Sequence, residues 1–323
     1  MNANEQTILS LIPTNDDSIK NTYIFDDIIG QTEVKTKLKF FVDSHLPLTP
    51  IPTLLFTGSQ GLGKSFMASK VARALDRDFV EINCGSVFTI KDFIENVILG
   101  KILGDRNKTV LFDEAHQLSS ELTTALLTLL NPNSSHINMY SYKNWLIEYD
   151  LNKINVIFAT TDAHKIFKPL LNRCTEVYFD LYSNDDLFDI LQSYLPNISL
   201  ICDKDDISYA CRGRARDAYM LSQNILRYCN MTNKNEFDDS DWVALKDIFG
   251  VHSYGLYTKE VELIKMIKVN QPISCNNLAI KMGVNVENIE SEIELRPKEL
   301  GFITNTVRGR CLTEFGLKFI LTK

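Results

Sequence analysis

The residues best suited to chemistry form a glycine-rich loop, Gly58-Ser59-Gln60-Gly61-Leu62-Gly63-Lys64-Ser65. This is the GxxxxGK[ST] pattern, in which backbone N–H groups surround phosphates, the lysine reaches the outer ones and the serine hydroxyl binds Mg²⁺. The apolar run Thr53–Thr57 precedes the loop and the helical run Phe66–Leu75 follows it. Because this is the strand–loop–helix setting that the pattern needs, we predict a nucleotide-binding protein. The predicted nucleotide-binding residues here are Gly58, Gly61, Leu62, Gly63, Lys64, Ser65 and Phe66.

A pair of adjacent carboxylates, Asp113 and Glu114, ends the apolar run Thr109–Phe112. Ligands of open α/β sheets bind at the carboxyl ends of the strands, where these side chains would lie. We predict that Asp113 holds Mg²⁺ together with Ser65, largely through water, and that Glu114 polarises the attacking water toward the γ-phosphate. For His116 a structural role is at least as suitable as a catalytic one.

Three further polar groups are candidates for the same site. Thr161, or else Thr160, ends a later apolar run and could hydrogen-bond the γ-phosphate or the attacking water. Arg173 stands before another apolar run, and the residues alone favour a surface salt bridge for it. The segment Gly213-Arg214-Ala215-Arg216 begins a helical run, so an arginine there could fold back onto the phosphates and report the nucleotide state.

The elements that position these residues change character along the chain. From Phe25 to Asp180, apolar strands alternate with helices, which predicts a parallel sheet covered on both faces. From Leu181 to about Phe249, apolar residues recur at helical spacing. From Tyr254 onward, three helices and a β-hairpin indicate a winged helix. The predicted domains are an N-terminal arm at 1–21, an α/β ATPase domain at 22–180, a helical lid at 181–252 and a winged helix at 253–323.

Composition narrows the class of protein. A chain of 323 residues can hold two or three domains, and its apolar fraction of 45% and charged fraction of 23% are those of a soluble globular protein. We expect no membrane span and no signal peptide. Seven cysteines without a CxxC pair indicate reduced thiols in a cytoplasmic setting. The net charge of −7 argues against coating nucleic acid by bulk attraction, but it leaves room for a small basic DNA contact.

Together these motifs resemble those of the AAA+ ATPases. The set, in chain order, is GSQGLGKS, LFDEAH, FATTD, LLNRC and GRAR. Within that superfamily the chain most resembles the RuvB family, whose members drive branch migration of Holliday junctions. Phe25–Gln31 resembles the family's adenine-side segment, Leu181–Leu187 resembles the segment whose tyrosine lies by the adenine, and Gly301–Thr313 resembles the family's wing.

The resemblance implies a role for several residues. Ile28, Ile29 and Tyr182 would lie beside the adenine of ATP. Arg173 would be an arginine finger that acts on a neighbour's ATP, and Arg216 would be the second sensor. A finger supplied in trans requires a head-to-tail interface, and the family forms hexamers. Such a finger raises the rate of nucleotide hydrolysis by about 10³–10⁵-fold.

A basic hairpin tip is the predicted DNA contact. Arg308 and Arg310 flank Gly309, and two guanidinium groups there could grip phosphates with little dependence on base sequence. A solvated charged turn is the alternative. The predicted DNA substrate is the duplex arms of a four-way junction.

An insertion, Asn131 to Asp150, reads as a second β-hairpin. In the RuvB family a hairpin at this place docks on the junction-binding partner, RuvA. By that resemblance Met139, Tyr142 and Trp145 would be exposed anchors for a RuvA-type protein. The alternative is that these side chains pack on the chain's own core.

The sequence therefore predicts an α/β fold made of an AAA+ core with a parallel sheet, a helical lid and a C-terminal winged helix. The predicted function is that of an ATP-driven, ring-forming DNA translocase of the RuvB type. A clamp-loader-like subunit, favoured by Asn172-Arg173-Cys174, and an initiator-like ATP switch are the alternatives. Leu171 stands where the family has a further arginine, and Asn21–Tyr23 stand near its missing Arg-Pro pair. Pro297 is expected to shorten the third helix of the winged domain.

Overall fold

A computed structural model describes residues 24–45, 51–87, 89–131, 136–142 and 145–321. The predicted N-terminal arm lies outside these ranges. The chain divides into two compact units, the first ending at Asp180 and the second beginning at Leu181. Within the described ranges, no helix has the length and apolar character needed to cross a bilayer.

The first unit is built on a parallel sheet and a separate hairpin. Its strands are β1 Leu54–Thr57, β2 Asp78–Asn83, β3 Lys108–Asp113, β4 Ile137–Tyr142, β5 Trp145–Asp150, β6 Ile154–Thr160 and β7 Thr175–Tyr178. Five of them lie side by side in the order β2-β3-β6-β1-β7, all parallel, and β4 and β5 pair antiparallel. Every residue of β1 and of β6 is buried, as expected for apolar runs covered on both faces. The predicted parallel sheet is confirmed.

Helices cover this sheet. They are α1 Thr32–Asp43, α2 Lys64–Ala74, α3 Ile90–Asp92 with a π-helical continuation Phe93–Ile102, α4 Ser120–Leu129 and α5 Lys168–Leu171. The core beneath them is aromatic, since the rings of Phe112 and Phe158 stack at 5.3 Å and Phe93 lies 6.4 Å from Phe112. This packing holds the middle of the sheet rigid, so the loops at its edge start from defined positions.

The register of the strands decides which residues meet at that edge. Thr57 at the end of β1 lies opposite Thr160 at the end of β6, and Asn83 of β2 lies opposite Asp113 of β3. Because all these strands are parallel, the chain leaves each of them at the same edge. The phosphate loop, the two carboxylates and the threonine pair therefore converge there.

The second unit begins with helices and a short parallel strand pair. These are α6 Asn184–Ser193, β8 Ser199–Leu200, α7 Lys204–Tyr209, α8 Ala215–Thr232, β9 Glu236–Phe237 and α9 Asp239–Phe249. Polar residues cap several of the helices. Ser183 accepts a hydrogen bond from the N–H of Asp186, and Asp238 forms a reciprocal capping box with Asp241.

The winged helix follows in the same unit. Its elements are β10 Val251–His252, β11 Leu256–Tyr257, α10 Thr258–Asn270, α11 Cys275–Met282, α12 Val286–Asn288 with a π-helical continuation Ile289–Ile293, α13 Leu295–Glu299, β12 Ile303–Thr306, β13 Gly309–Leu312 and α14 Glu314–Leu321. β12 and β13 form the antiparallel wing hairpin. Ile273 forms an isolated antiparallel bridge with Arg310 of β13.

The third helix of the winged domain, from Val286 to Glu299, is not shortened by Pro297 as the sequence suggested. Pro297 lies in the first turn of α13, where a backbone N–H has no partner inside the helix, so its missing N–H costs little. After the π-helical segment, the single turn residue Glu294 precedes α13, which runs through Pro297 to Glu299.

The stability of the winged helix depends on Phe302. Its buried ring stacks on Phe319 at 4.8 Å and contacts Phe315 at 5.0 Å and Tyr254 at 5.6 Å. We predict that Phe302→Ala lowers the free energy of unfolding of this domain by about 3–5 kcal/mol, through lost burial and the cavity left behind. Denaturant titration followed by circular dichroism measures this. The control Val269→Ala, at a side chain that is 82% exposed, should change the value by less than about 0.5 kcal/mol.

Candidate functional site

The phosphate loop adopts a conformation that only glycine accommodates easily. Gly58, Gly61 and Gly63 have φ angles of 139°, 82° and 91°. A Cβ atom at Gly58 would also lie 2.5 Å from the carbonyl oxygen of Phe179. α2 starts at Lys64, directly after the loop, and the first four N–H groups of a helix have no intrahelical partner. The loop and this helix start thus form an anion site.

Lys64 lies within the loop. Its side chain is buried, and its Nζ donates hydrogen bonds to the carbonyl oxygens of Gly58 at 2.7 Å and Ser59 at 2.8 Å. The ammonium is therefore held where phosphates of a nucleotide would be neutralised. Leu62 is buried beneath the loop, whereas the ring of Phe66, in the first turn of α2, is 52% exposed.

Asp113 and Glu114 occupy the carboxyl end of β3. The backbone N–H of Glu114 donates to Oδ1 of Asp113 at 3.0 Å, and Glu114 itself has a left-handed backbone with φ 53°. Such a conformation costs a non-glycine residue about 1–2 kcal/mol and recurs at functional sites. β3 ends at Asp113, and the left-handed residue Glu114 changes the direction of the chain directly after it.

Three side chains hold the Glu114 carboxylate and its surroundings. Thr161 Oγ1 donates to Glu114 Oε2 at 3.4 Å, and His116 Nδ1 lies 3.4 Å from the same oxygen. His116 Nδ1 is also 3.0 Å from Oγ1 of Thr160, a buried hydroxyl that accepts the N–H of Asp162. Of the two candidate threonines, Thr160 is therefore internal to the network and Thr161 lies at the exposed edge. Sequence spacing gave no signal of the His116–Thr160 contact, because it joins the turn after β3 to the end of β6, 44 residues later in the chain.

The donor chemistry of the edge suits a magnesium ion. Ser65 is a half-buried residue in the first turn of α2, and Asp113 is half-buried at the end of β3. A hydroxyl and a carboxylate are oxygen donors of the type that Mg²⁺ takes alongside phosphates and water.

The predicted adenine-side segment is tied to the same unit. Ile28 and Ile29 are half-buried in the turn before α1. Lys35 Nζ donates to the carbonyl oxygen of Ile28 at 2.6 Å, and Gln31 Nε2 donates to that of Asp180 at 2.6 Å. The segment is thus anchored at its own helix and at the end of the sheet domain.

Arg173 lies apart from these groups in the fold. It follows α5, its side chain is exposed, and Nη1 donates to the carbonyl oxygen of Leu127 in α4 at 2.6 Å. This contact is a hydrogen bond to a backbone carbonyl, and not the surface salt bridge that the residues alone favoured. Leu171, which stands where the RuvB family has a further arginine, packs against the apolar core.

In the second unit, the arginines near the start of α8 differ in what they contact. Arg212 pairs with Glu260 at 2.7 Å and Arg214 with Glu299 at 3.6 Å. Arg216 is exposed in the first turn of α8. Tyr182 is half-buried, and its backbone N–H donates to the carbonyl oxygen of Gly213 at 2.9 Å. Tyr182, predicted to lie beside the adenine, is therefore bonded to the turn that precedes Arg216, the predicted second sensor.

The wing places its two arginines differently. Val307 and Arg308 form the exposed tip between β12 and β13. Arg310 is turned to the third helix, where its Nε and Nη2 donate to both carboxylate oxygens of Glu294 at 2.9 and 3.0 Å and Nη2 also donates to Glu290 at 2.9 Å. Its side chain is only 13% exposed. The expectation that Arg310 contacts DNA is therefore not supported, because two carboxylates already engage its guanidinium.

The β4–β5 hairpin has one exposed face that carries three apolar side chains. Met139 is 59% exposed and Leu146 is 66% exposed, and Ile137 lies on the same face because strand residues alternate. Asn138 points the other way and donates to the carbonyl oxygens of Leu129 and Asn131, both at 2.8 Å. Of the predicted anchors, Met139 is exposed, and the side chains of Tyr142 and Trp145 lie outside the described residues. Ile137 and Leu146 were missed by sequence reasoning.

Comparison with known protein families gives two matches along the chain. Residues 54–181 match the AAA family, "ATPase family associated with various cellular activities", and residues 253–321 match the RuvB C-terminal winged helix domain. The chain therefore combines an AAA domain with a RuvB-type winged helix domain.

Similar proteins extend this likeness over almost the whole chain. A Holliday junction branch migration complex subunit RuvB from Prochlorococcus marinus is 27% identical over 92% of this chain and 86% of its own length. The subunit of that name from Campylobacter hominis is 26% identical over 93% and 91%. The Thermotoga maritima RuvB Holliday junction branch migration motor has the same fold, with a TM-score of 0.74 at 20% identity over 94% of this chain and 97% of that one.

The contacts of His116 with Glu114 and Thr160 predict a positioning role for this residue. We predict that His116→Ala lowers kcat for ATP hydrolysis by about tenfold with little change in KM, because the ring contacts Glu114 and Thr160 and not the phosphate loop. His116→Gln, which keeps a polar side chain, should recover part of the rate. Steady-state ATPase kinetics measure both values. The control His164→Ala, at an exposed histidine, should behave as the wild type, and an unchanged kcat in His116→Ala would refute the role.

Proposed function

We propose that this chain is an ATP-driven, ring-forming DNA translocase that promotes branch migration of Holliday junctions. The observation that carries the proposal is the union in one chain of an AAA domain and a RuvB-type winged helix. The curated relatives that match over most of their length are named as subunits of a Holliday junction branch migration complex. A clamp-loader subunit would end in a helical collar, and the winged helix stands in that place.

The sheet edge supplies the groups for ATP hydrolysis. The glycine loop and Lys64 bind the phosphates, and Glu114 takes a proton from the water that attacks the γ-phosphate. Thr161 and His116 contact the Glu114 carboxylate and keep it oriented. Ser65 and Asp113 would hold a Mg²⁺ ion, which when bound neutralises charge on the phosphates.

The remaining predicted groups act from outside the phosphate loop. Ile28, Ile29 and Tyr182 would contact the adenine, and Arg216 would sense the phosphates. Arg173 of one subunit would reach the ATP of its neighbour, since its side chain is exposed. A contact of this head-to-tail type closes into a ring or winds into a spiral. A ring is what we propose, and a hexamer is its expected size.

Two surfaces of the chain would serve partners. The apolar face of the β4–β5 hairpin, with Ile137, Met139 and Leu146, suits a RuvA-type junction-binding protein. Arg308 at the wing tip would contact the duplex arms of the junction. We place this activity in the cytoplasm, where free cysteines stay reduced.

Branch migration of a synthetic four-way junction tests the function directly. We predict that the wild type with ATP converts a labelled junction to its duplex products and that a RuvA-type protein accelerates this. Glu114→Gln should bind ATP but lower the rate by at least about 10²-fold, because it lacks a proton acceptor. Glu121→Gln, at an exposed glutamate of α4, is the matched control. If the wild type hydrolyses ATP on duplex DNA but leaves the junction intact, an initiator-like switch becomes the better proposal.

Mixing two inactive variants tests the shared site. We predict that Arg173→Ala and Glu114→Gln are each inactive alone and that an equimolar mixture regains about a quarter of wild-type ATPase activity. In a random ring, one interface in about four joins an intact Glu114 to an intact Arg173 of the next subunit. If Arg173 acted on its own subunit's ATP, the mixture would stay inactive.

A further inference from the structure

The third helix of the winged domain has the wrong charge for entry into a DNA groove. In helix-turn-helix proteins this helix enters the major groove. Here Glu287, Glu290, Glu292 and Glu294 lie within its first nine residues, and no lysine or arginine precedes Arg296. The side chains of Glu287, Glu290 and Glu292 are exposed, so phosphates approaching this helix would meet several carboxylates before any cation.

Two of these carboxylates also remove a cation from the wing. Arg310 donates to Glu290 at 2.9 Å and to both oxygens of Glu294 at 2.9 and 3.0 Å. Burial alone would raise the pKa of Glu294, but hydrogen bonds from Arg310 and Lys298 outweigh it and hold the pKa below its ordinary value. Glu294 is therefore ionised at neutral pH. The charge of Arg310 is thereby compensated inside the protein.

The tip of the wing extends beyond this network and is held in one conformation. Thr306 Oγ1 donates to the carbonyl oxygen of Gly309 at 2.8 Å, which closes the turn. Gly309 has φ 135°, and a Cβ atom there would lie 2.5 Å from the carbonyl oxygen of Ile273, so the wing packs closely on that segment. The tip presents the fully exposed Val307 beside the exposed Arg308.

We infer that this winged domain contacts DNA through the wing tip alone and that the carboxylates of its third helix keep that helix out of the major groove. The inference rests on the proposed function, which supplies DNA as the partner. Arg308 is two residues from Arg310, and the Glu290 carboxylate is bonded to Arg310. The guanidinium of Arg308 is exposed, and the exposed carboxylates of the third helix oppose a closer approach of the same phosphates. The contact is then weak, dependent on salt and independent of base sequence.

The affinity of the full chain for a fluorescent DNA duplex, measured by anisotropy at several salt concentrations, tests this. Glu287→Gln/Glu292→Gln, which leaves the pairs of Arg310 with Glu290 and Glu294 in place, should raise the affinity about threefold or more. The matched control Glu262→Gln/Glu314→Gln makes the same change of net charge at exposed residues of α10 and α14 and should raise it much less. Arg308→Ala should lower the affinity about tenfold and reduce the salt slope by about one. Duplexes of different base sequence should compete equally.

The outcomes separate this inference from the function on which it rests. If the wild type binds duplex but the third-helix variant binds more weakly, the third helix takes part in binding and the inference is overturned. If that variant binds no better than the control variant, these carboxylates do not keep DNA away and the inference is overturned as well. Unequal competition by duplexes of different base sequence would overturn it as well. If the wild type binds no DNA at all, the proposed function fails, and the inference fails with it.

Discussion

The parallel register of β1, β3 and β6 is the constraint on which the candidate catalytic site depends. Thr57 lies opposite Thr160, and Phe112 lies opposite Phe158, so β1 and β3 end on either side of β6 at one edge of the sheet. The phosphate loop, the Asp113–Glu114 pair and Thr161 are far apart in the chain, and only this register brings them together. Phe112 directly precedes Asp113 on β3, and Phe158 precedes Thr160 by two residues on β6. Their stacked, buried rings fix the two strands that carry these residues.

Local backbone geometry then refines what the register brings together. Glu114 leaves β3 in a left-handed conformation, and its carboxylate meets Thr161 and His116. His116 in turn bonds the buried hydroxyl of Thr160 on β6. The glutamate proposed to activate water is thus connected to the neighbouring strand through a histidine. A change in the position of either strand would be felt at the carboxylate.

In the second unit, ion pairs determine which arginine side chains stay exposed. Arginines are common near α8 and in the wing, and their carboxylate partners decide which of them stay exposed. Arg212 is taken by Glu260 and Arg310 by Glu290 and Glu294, whereas Arg216 and Arg308 remain exposed. The exposed ones are those for which ATP and DNA contacts are proposed. A buried ion pair is costly to break, so this division is a stable property of the fold.

The sequence by itself determined the parallel sheet, the nucleotide loop, the carboxylate pair and the winged helix, because each is encoded in local spacing or period. It could not show that Thr160 is buried against His116 while Thr161 is exposed. It also predicted a DNA contact for Arg310 and a third helix shortened by Pro297. Those outcomes depend on partners distant in the chain or on the place of a residue within a helical turn. Tertiary structure decided them, since hydrogen bonds and ion pairs between separate elements leave no periodic trace in the sequence.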